Sequence, residues 1–269
     1  MPEALRVDPD TVAFLRAAGC VYAEEEARIL TEAAHSTDEL CSLLDRRAAG
    51  APLEYIVGWA EFCGLRITLC RGVFVPRRRT EFLAECAVQA VRKATAADGL
   101  RRVKVLDICC GSGAIGLAVA TQSRNVELLA ADDSPVAVGC ARDNLAQVSA
   151  SVYQGDLFAP IPRTELHTLD LIIANAPYVP TAEIRRLPAE ARLYEPLSTL
   201  DGGPNGTRVQ RRIITAGADW LRTPGLVLIE TGSDMARQTG QIAKDNGFAV
   251  EIRESPELEA TVVVATHRP

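Results

Sequence analysis

The stretch Val103-Lys-Val-Leu-Asp-Ile-Cys-Cys-Gly-Ser-Gly-Ala-Ile-Gly116 decides the fold. A short apolar strand run passes without a spacer into Gly111, Gly113 and Gly116, spaced G-x-G-x-x-G, and a helix opens behind them. The string by itself marks only a tight turn. Between a strand and a helix, it becomes a place where backbone without a Cβ lets a bulky cofactor lie at the carboxyl end of a sheet. A second acid arrives 19 positions after Gly113: Asp132 closes the strand run Leu128-Leu-Ala-Ala, where a carboxylate can accept both hydroxyls of a ribose. Capping the helix over 134–148 is its competing duty, and Asp133 or Ser134 can perform that as well. Two cofactor classes fit these residues. A nicotinamide dinucleotide would set its pyrophosphate on the helix N-terminus. S-adenosylmethionine would offer its amino-acid ammonium, directly or through water, to the acid of the first strand, Asp107.

Outward from this unit the pattern repeats. Apolar strand runs at 103–108, 126–131, 169–174, 225–230 and 247–252 are separated by helix-length segments, and a run at 260–266 follows after a short polar loop. That is βαβ winding with a terminal hairpin, hence a doubly wound α/β fold whose mostly parallel sheet carries an antiparallel strand at its end. A helical stretch, Thr80–Ala94, precedes it. Residues 51–76 change period: Phe62, Leu65, Ile67, Leu69 and Val73–Val75 are β-like and broken by Gly58, Gly64 and Gly72, which predicts a hairpin linker. Residues 8–50 read as three short helices. Asp8-Pro9 starts the first, with Val12, Phe14 and Leu15 as its apolar positions and Gly19 as its stop; the second spans Tyr22–Ala34. The third opens on Ser36 and Glu39 at capping-box spacing, buries Leu40, Leu43 and Leu44, and ends at Gly50. The expected division is a helical domain over 1–50, the linker over 51–76 and the α/β domain over 77–269.

Composition bounds the function. The 269 residues are 48% hydrophobic and 24% charged, enough to bury a sizeable core and to exclude wholesale disorder. No run of about 18 apolar residues occurs, and MPEALRVDPD lacks the order of a signal peptide, so a soluble, cytoplasmic protein with no membrane partner is expected. The eight cysteines form no C-x-x-C and the three histidines are scattered, which reads as reduced apolar fillers with no metal site. A formal charge of −6 opposes a general grip on nucleic acid, so stable nucleic-acid binding is not expected, although a local basic patch is permitted.

The strand Leu169-Asp-Leu-Ile-Ile-Ala ends in Asn175-Ala176-Pro177-Tyr178, followed by Val179-Pro180. This resembles the (D/N/S)-P-P-(Y/F) motif of amino-methyltransferases, and more closely the HemK-type protein-glutamine methyltransferases, which methylate a glutamine side-chain amide in translation release factors or a ribosomal protein. Further segments match in order from about residue 51 onward: PLEYIVGWAEFCGL, VFVPRRRTE, DICCGSGAIGLAVA, ADDSPVAVGCARDN, GDLF and YEPLSTLDGGPNG. The resemblance implies a seven-stranded Rossmann-like class I methyltransferase domain, S-adenosylmethionine as donor with S-adenosylhomocysteine as product, and a protein acceptor such as a release factor or ribosomal protein. It places Asp107, Cys109, Gly111, Gly113, Asp132, Asp156, Leu157 and Asn175 on the cofactor, with Asp156 toward the adenine amino group and Leu157 lending a backbone donor. It assigns the chemistry to Asn175, Ala176, Pro177 and Tyr178, and the substrate side to Asn175, Pro177, Tyr178 and Glu195, the last shaping the entrance.

Physical chemistry supports that carry-over. An amide nitrogen is a poor nucleophile because its lone pair is delocalised, so its two protons must be held while the lone pair is aimed. The Asn175 side-chain oxygen and the Ala176 carbonyl are two acceptors for those protons, Pro177 stiffens their separation, and Tyr178 can cover the planar group. Orientation can supply ~7–11 kcal/mol, against ~10²–10⁴-fold in rate from a single acid or base. Three positions depart from the family pattern. Cys109 replaces a loop glycine and needs a backbone angle that a Cβ tolerates, Ala176 replaces a proline and loosens its loop, and Arg78 and Arg79 make a basic triplet with Arg77. That triplet reads as a solvated turn, with docking of an acidic or phosphate-bearing partner as its sharper alternative. Competing functions are N-methylation of a small metabolite or peptide, methylation of a base amino group in nucleic acid, a nicotinamide oxidoreductase, and a binding protein without chemistry.

Overall fold

The computed structural model describes residues 7–97 and 101–268; the first six residues of the stretch read for a leader lie outside them. In chain order the helices and strands are α1 Pro9–Ala17, α2 Ala23–Ala33, α3 Thr37–Ala48, α4 Leu53–Val57, β1 Trp59–Phe62, β2 Leu65–Thr68, α5 Glu81–Ala97, β3 Val103–Ile108 and α6 Ala114–Gln122. They continue with β4 Val126–Asp132, α7 Pro135–Leu145, β5 Ala150–Gln154, β6 Leu169–Ala174, α8 Ala189–Tyr194, α9 Arg208–Trp220, β7 Leu221–Thr231, α10 Ala236–Asp245, β8 Phe248–Ser255 and β9 Ala260–His267.

The seven-stranded sheet has the order β5-β4-β3-β6-β7-β9-β8. Pairing is parallel from β5 through β7, and β9 runs antiparallel between β7 and β8. Strands buried on both faces read as continuous apolar runs, and β6 is such a strand, buried at every position. Alternation along β3 sends Val103 and Val105 to one core layer and Leu106 and Ile108 to the other. β5 escapes the apolar pattern: Ala150-Ser-Val-Tyr-Gln is half-buried at the sheet edge.

The front of the chain has a core of its own, built from Leu15, Ala27, Leu30, Leu40, Leu43 and Leu44. Asp8 caps α1, and Ser36 Oγ accepts from Glu39 N while Glu39 Oε2 accepts from His35 N, at 3.2 and 2.7 Å. Phe14, an expected apolar position of α1, is instead 43% exposed, since Thr11 and Leu15, with Val12 beside them, take the inward face there. In the 51–76 stretch a short helix, α4, precedes the β1–β2 hairpin, whose turn Cys63-Gly64 has both φ angles positive, at 52° and 72°. Val73 and Val75 are buried but join no strand. The hairpin is tied to α7 by Asn144, which accepts from Thr68 N at 2.8 Å and donates to Thr68 O at 2.9 Å.

Among the described residues all eight cysteines are free thiols, and no helix is long and apolar enough to cross a membrane. Two glycines of like φ separate strain from collision. Gly64 (φ +72°) has open space around a hypothetical Cβ, whereas at Gly206 (φ +71°) a Cβ would overlap Tyr178 O and come within 2.5 Å of Met235 Cε. Gly64→Ala is therefore expected to cost about 1–2 kcal/mol and Gly206→Ala at least about 3 kcal/mol, read from urea midpoints. Equal losses would show that the Gly206 contact is not a constraint.

Candidate active site

The loops after β3, β4, β5 and β6 enclose a cavity of about 590 Å³ at the carboxyl end of the sheet. Strand order reverses here, with β4 on one side of β3 and β6 on the other, the place where such sheets open a crevice. Residues 72–80 and 187–201 contribute further walls, as do Arg208, Val209 and Arg212 of α9.

The loop after β3 turns through left-handed residues: Cys109, Gly111 and Gly113 have φ of 59°, 56° and 76°. Cys109 thus holds a Cβ where one costs about 1–2 kcal/mol, rather than at an angle that a side chain readily tolerates. Gly116 serves a different purpose, because a Cβ there would come within 3.1 Å of Asp107 Oδ2 and of Leu128, closing the helix onto the strands. Cys109 and Gly111 line the cavity; Gly113 is buried behind the loop against Leu145.

Asp132 lines the cavity and ties two loops together. Its Oδ2 accepts from Gly111 N at 2.9 Å and its Oδ1 from Ser134 N at 3.0 Å. Ser134, not Asp132, caps α7 through its hydroxyl. Burial raises the Asp132 carboxyl and those two N–H donors oppose the rise. Asp107 lies deeper and is fully buried, outside the cavity wall: Oδ2 accepts from Gly116 N at 2.8 Å while Oδ1 has no hydrogen-bond partner. Burial pushes its carboxyl up to about 7. Asp156 and Leu157 line the far end, where the exposed Asp156 carboxylate receives both Arg212 terminal nitrogens, at 3.0 and 2.6 Å, and is held below its usual range by them.

On the opposite side stand Asn175, Ala176, Pro177 and Tyr178. Asn175 Nδ2 donates to Thr80 Oγ1 at 3.2 Å, and among the described residues its Oδ1 takes no hydrogen bond. The Tyr178 hydroxyl donates to Glu230 Oε1 at 3.3 Å; burial, then the Glu230 charge, pushes that phenol up to about 12. Glu195 sits behind the wall rather than on it: buried, it accepts from Val75 N at 3.2 Å and Arg77 Nη2 at 2.6 Å, stitching residues 75–77 to the loop after α8. The basic triplet divides accordingly. Arg77 pairs with buried Glu195, Arg79 with buried Glu230, and Arg78 faces outward.

Known proteins resemble this chain in sequence and in fold. The family described as Methyltransferase small domain matches residues 72–195. The release factor glutamine methyltransferase of Geobacter sulfurreducens is 36% identical over 208 residues, covering 77% of this chain and 69% of the relative. That of Thermodesulfovibrio yellowstonii is 35% identical over 229 residues, covering 84% and 78%. The chain belongs to the release factor glutamine methyltransferase family. It is therefore an S-adenosylmethionine-dependent methyltransferase, which removes the nicotinamide alternative. The ribosomal protein L11 methylase of Lactobacillus delbrueckii subsp. bulgaricus shares the fold, with a TM-score of 0.50 at 18% identity over 75% of this chain and 84% of that one.

The residues present fit that donor. Three left-handed residues bend the loop around the cavity, Asp132 presents a carboxylate on its wall, and the orphaned Asp107 Oδ1 behind the loop calls for a cation or donor nearby. Thr80, Arg212 and Glu230 are the participants that residue reading missed, and Arg79, read as part of a solvated triplet, pairs with one of them. Glu230 had a signal: like Asp107 and Asp132, it is an acid at the carboxyl end of an apolar strand run. Arg212, on a helix among other arginines, had none.

Asp107 makes a pH prediction. Its carboxyl is protonated up to about pH 7 in the folded chain but ionises near its ordinary 3.8 when unfolded, so between those values the folded state binds more protons and stability falls as pH rises. Asn does not titrate. Relative to the wild type, Asp107→Asn is expected to gain a few kcal/mol as pH rises from about 4 to 7. Urea unfolding at both ends checks it, and a pH-independent difference would refute the buried, uncompensated carboxyl.

Proposed function

We propose that this chain methylates the side-chain amide nitrogen of a glutamine in a translation release factor. The observation that carries the reading is the Asn175 side chain: its Nδ2 is occupied by Thr80, so its Oδ1 is left to accept at the wall of the cavity that the β3 loop bounds. Family membership supports the acceptor, since relatives named for that activity cover most of this chain. Arg77 and Arg79 are engaged by buried carboxylates, which weighs against a phosphate-gripping patch and so against a nucleic-acid acceptor.

S-adenosylmethionine, when bound, supplies a methyl group on a sulfonium, a carbon ready for displacement. In this reading the β3 loop and Asp132 hold the donor, Asp132 through its ribose, and Asp107 stabilises the ammonium end from beneath the loop. Asp156 and Leu157 take the adenine end, with Arg212 sharing the Asp156 carboxylate. Asn175 Oδ1 and the Ala176 carbonyl each accept one N–H of the glutamine amide, which turns its nitrogen lone pair out of conjugation and toward the methyl carbon. Pro177 fixes the spacing of the two acceptors and Tyr178 covers the amide plane. The nitrogen would form its bond to the methyl carbon as the carbon–sulfur bond breaks, the thioether S-adenosylhomocysteine leaving with that electron pair, and the nitrogen, made acidic in doing so, releases one proton to water. Positioning carries the rate, and no side chain at the cavity is required as a base.

Incubation with labelled S-adenosylmethionine and full-length release factor, followed by mapping of the label, tests the assignment. Label is expected on one glutamine side chain. Asn175→Ala is expected to lower transfer by at least ~10²-fold, as removal of one positioned hydrogen-bonding group does, while cofactor affinity stays within about threefold. Transfer that persists in that variant, or label on a nucleic acid or metabolite alone, would refute the reading.

A further inference from the structure

The acidic total leaves room for a local concentration of positive charge, and one exists at the end of the sheet away from the catalytic cavity. The amino ends of β3, β6 and β7 and the last residue of β9 border a second, more open cavity of about 760 Å³. Arg101, Arg102, Lys104 and Arg222 stand on its wall, against two acids, Asp170 and Asp219. Asp170 is 8% exposed, and its carboxylate is shared. Its Oδ1 accepts from Arg101 Nη1 at 2.7 Å and from Arg222 Nη1 at 3.4 Å, while its Oδ2 accepts from Arg101 Nη1 and from Lys104 N, both at 2.9 Å. The Lys104 ammonium is spent elsewhere, on Glu165 at 2.7 Å and Glu127 at 3.5 Å.

Donor counting gives what is left over. A guanidinium carries five N–H groups and no acceptor. Arg101 and Arg222 each spend only Nη1 on Asp170, and among the described residues no other acceptor takes the rest of their N–H groups. Arg102 is exposed and has no ion-pair partner among those residues. One buried carboxylate needs one guanidinium, and Arg101 already reaches both of its oxygens, so Arg222 and Arg102 are surplus to it. The Arg101 and Arg222 side chains stay open to solvent, 30% and 40% exposed. Carbonyls at the end of α9 would repel an anion, but they are taken: Leu221 N donates to Gly217 O, and His167 N donates to Asp219 O at 3.1 Å. Thr168 and Thr223 add hydroxyls to the wall, and His167 and His267, two of the chain's three histidines, add ring nitrogens. Three guanidiniums against one buried carboxylate suit a dianion. Arginine forks match the paired oxygens of a phosphoryl group, and a cavity of this size takes a ligand of nucleotide dimensions. We propose that this cavity is a binding site for the phosphoryl groups of a small ligand, gripped by Arg101, Arg102 and Arg222 while Asp170 holds the first and last of them in place. It is separate from methyl transfer, since it lies at the opposite ends of β3 and β6 from Asp107 and Asn175.

The test uses the full chain without a histidine tag and isothermal titration at constant ionic strength. The probes are inorganic phosphate, pyrophosphate and uridine diphosphate, the last because it lacks the adenine that the catalytic cavity takes. Saturable binding of pyrophosphate is expected, with the ring resonances of His167 and His267 shifting on saturation while those of His35 stay. Tighter binding of uridine diphosphate than of pyrophosphate makes the ligand a nucleotide; binding no tighter makes it a free phosphate. The double variant Arg102→Gln, Arg222→Gln leaves Asp170 both of its Arg101 contacts, so the fold is kept. It is expected to lower pyrophosphate affinity at least ~10-fold, the loss of a charge-assisted hydrogen bond, with affinity for S-adenosylhomocysteine within about twofold. No saturable binding at millimolar pyrophosphate or uridine diphosphate, unchanged affinity in the double variant, or unshifted His167 and His267 rings would overturn the site. So would displacement of the probe by S-adenosylhomocysteine, or binding of an RNA oligonucleotide alone.

Discussion

The parallel pairing of β3 with β6, with Ile108 opposite Ala174, is the constraint on which the site depends. It sets the loop of left-handed residues beside the Asn-Ala-Pro-Tyr turn at the point where strand order reverses, so that donor and acceptor walls meet without any further device. Register is what protects this. A slip of one residue would exchange the two faces of a strand, taking Leu171 and Ile173 out of the layer they share with Val105. The core on both faces therefore aligns the site, and the continuous apolar reading of β6 has a functional cause as well as a structural one.

The same strand ends carry the chain's least comfortable groups. Asp107, Asp132 and Glu230 each lie at the carboxyl end of an apolar strand, and burial raises the carboxyl of all three. Enclosing an ion costs several kcal/mol even after relaxation, and a core built for stability alone would place apolar side chains there. Each is retained with a specific partner: Gly116 N for Asp107, Gly111 N and Ser134 N for Asp132, Arg79 and Tyr178 for Glu230. Their cost is local to the cavity end of the sheet, which is where conflict between local preference and global fold marks function.

Much of this was legible in the residues because periodicity and glycine spacing report backbone demands directly. The runs at 103–108 and 169–174 coincide with β3 and β6, and the capping signals at Asp8, Ser36 and Ser134 all act as such. β5 was faint in pattern because an edge strand with one half-exposed face has little apolar content to display. The turns over 181–199 were not legible: their positions are set by buried ties such as Glu195 to Arg77, across more than a hundred residues of sequence. Side-chain partnership explains the remaining differences. Glu195 reads as an entrance residue and Arg77 to Arg79 as a solvated run, yet Glu195 is buried, and the extended backbone at Arg77 turns into a 3-10 turn that pairs Arg77 with Glu195 and lets the exposed Arg79 reach the buried Glu230, leaving Arg78 outside.

Ala176 shows how a lost local restraint is replaced. A second proline would stiffen the turn after β6 by fixing φ, and alanine gives that up. The turn is nevertheless held from the side, since Val179 N donates to Leu200 O at 3.0 Å and Gly202 N donates to Val179 O at 2.9 Å, a bridge that runs parallel to residue 201. Gly206 lets the chain close over this bridge because any side chain there would strike the Tyr178 carbonyl. Ala176 itself is 1% exposed and packs into the core layer under α9. Rigidity of the acceptor turn is thus a property of two segments pressed together rather than of one dipeptide, and a smaller residue at 176 leaves its carbonyl where the paired backbone puts it.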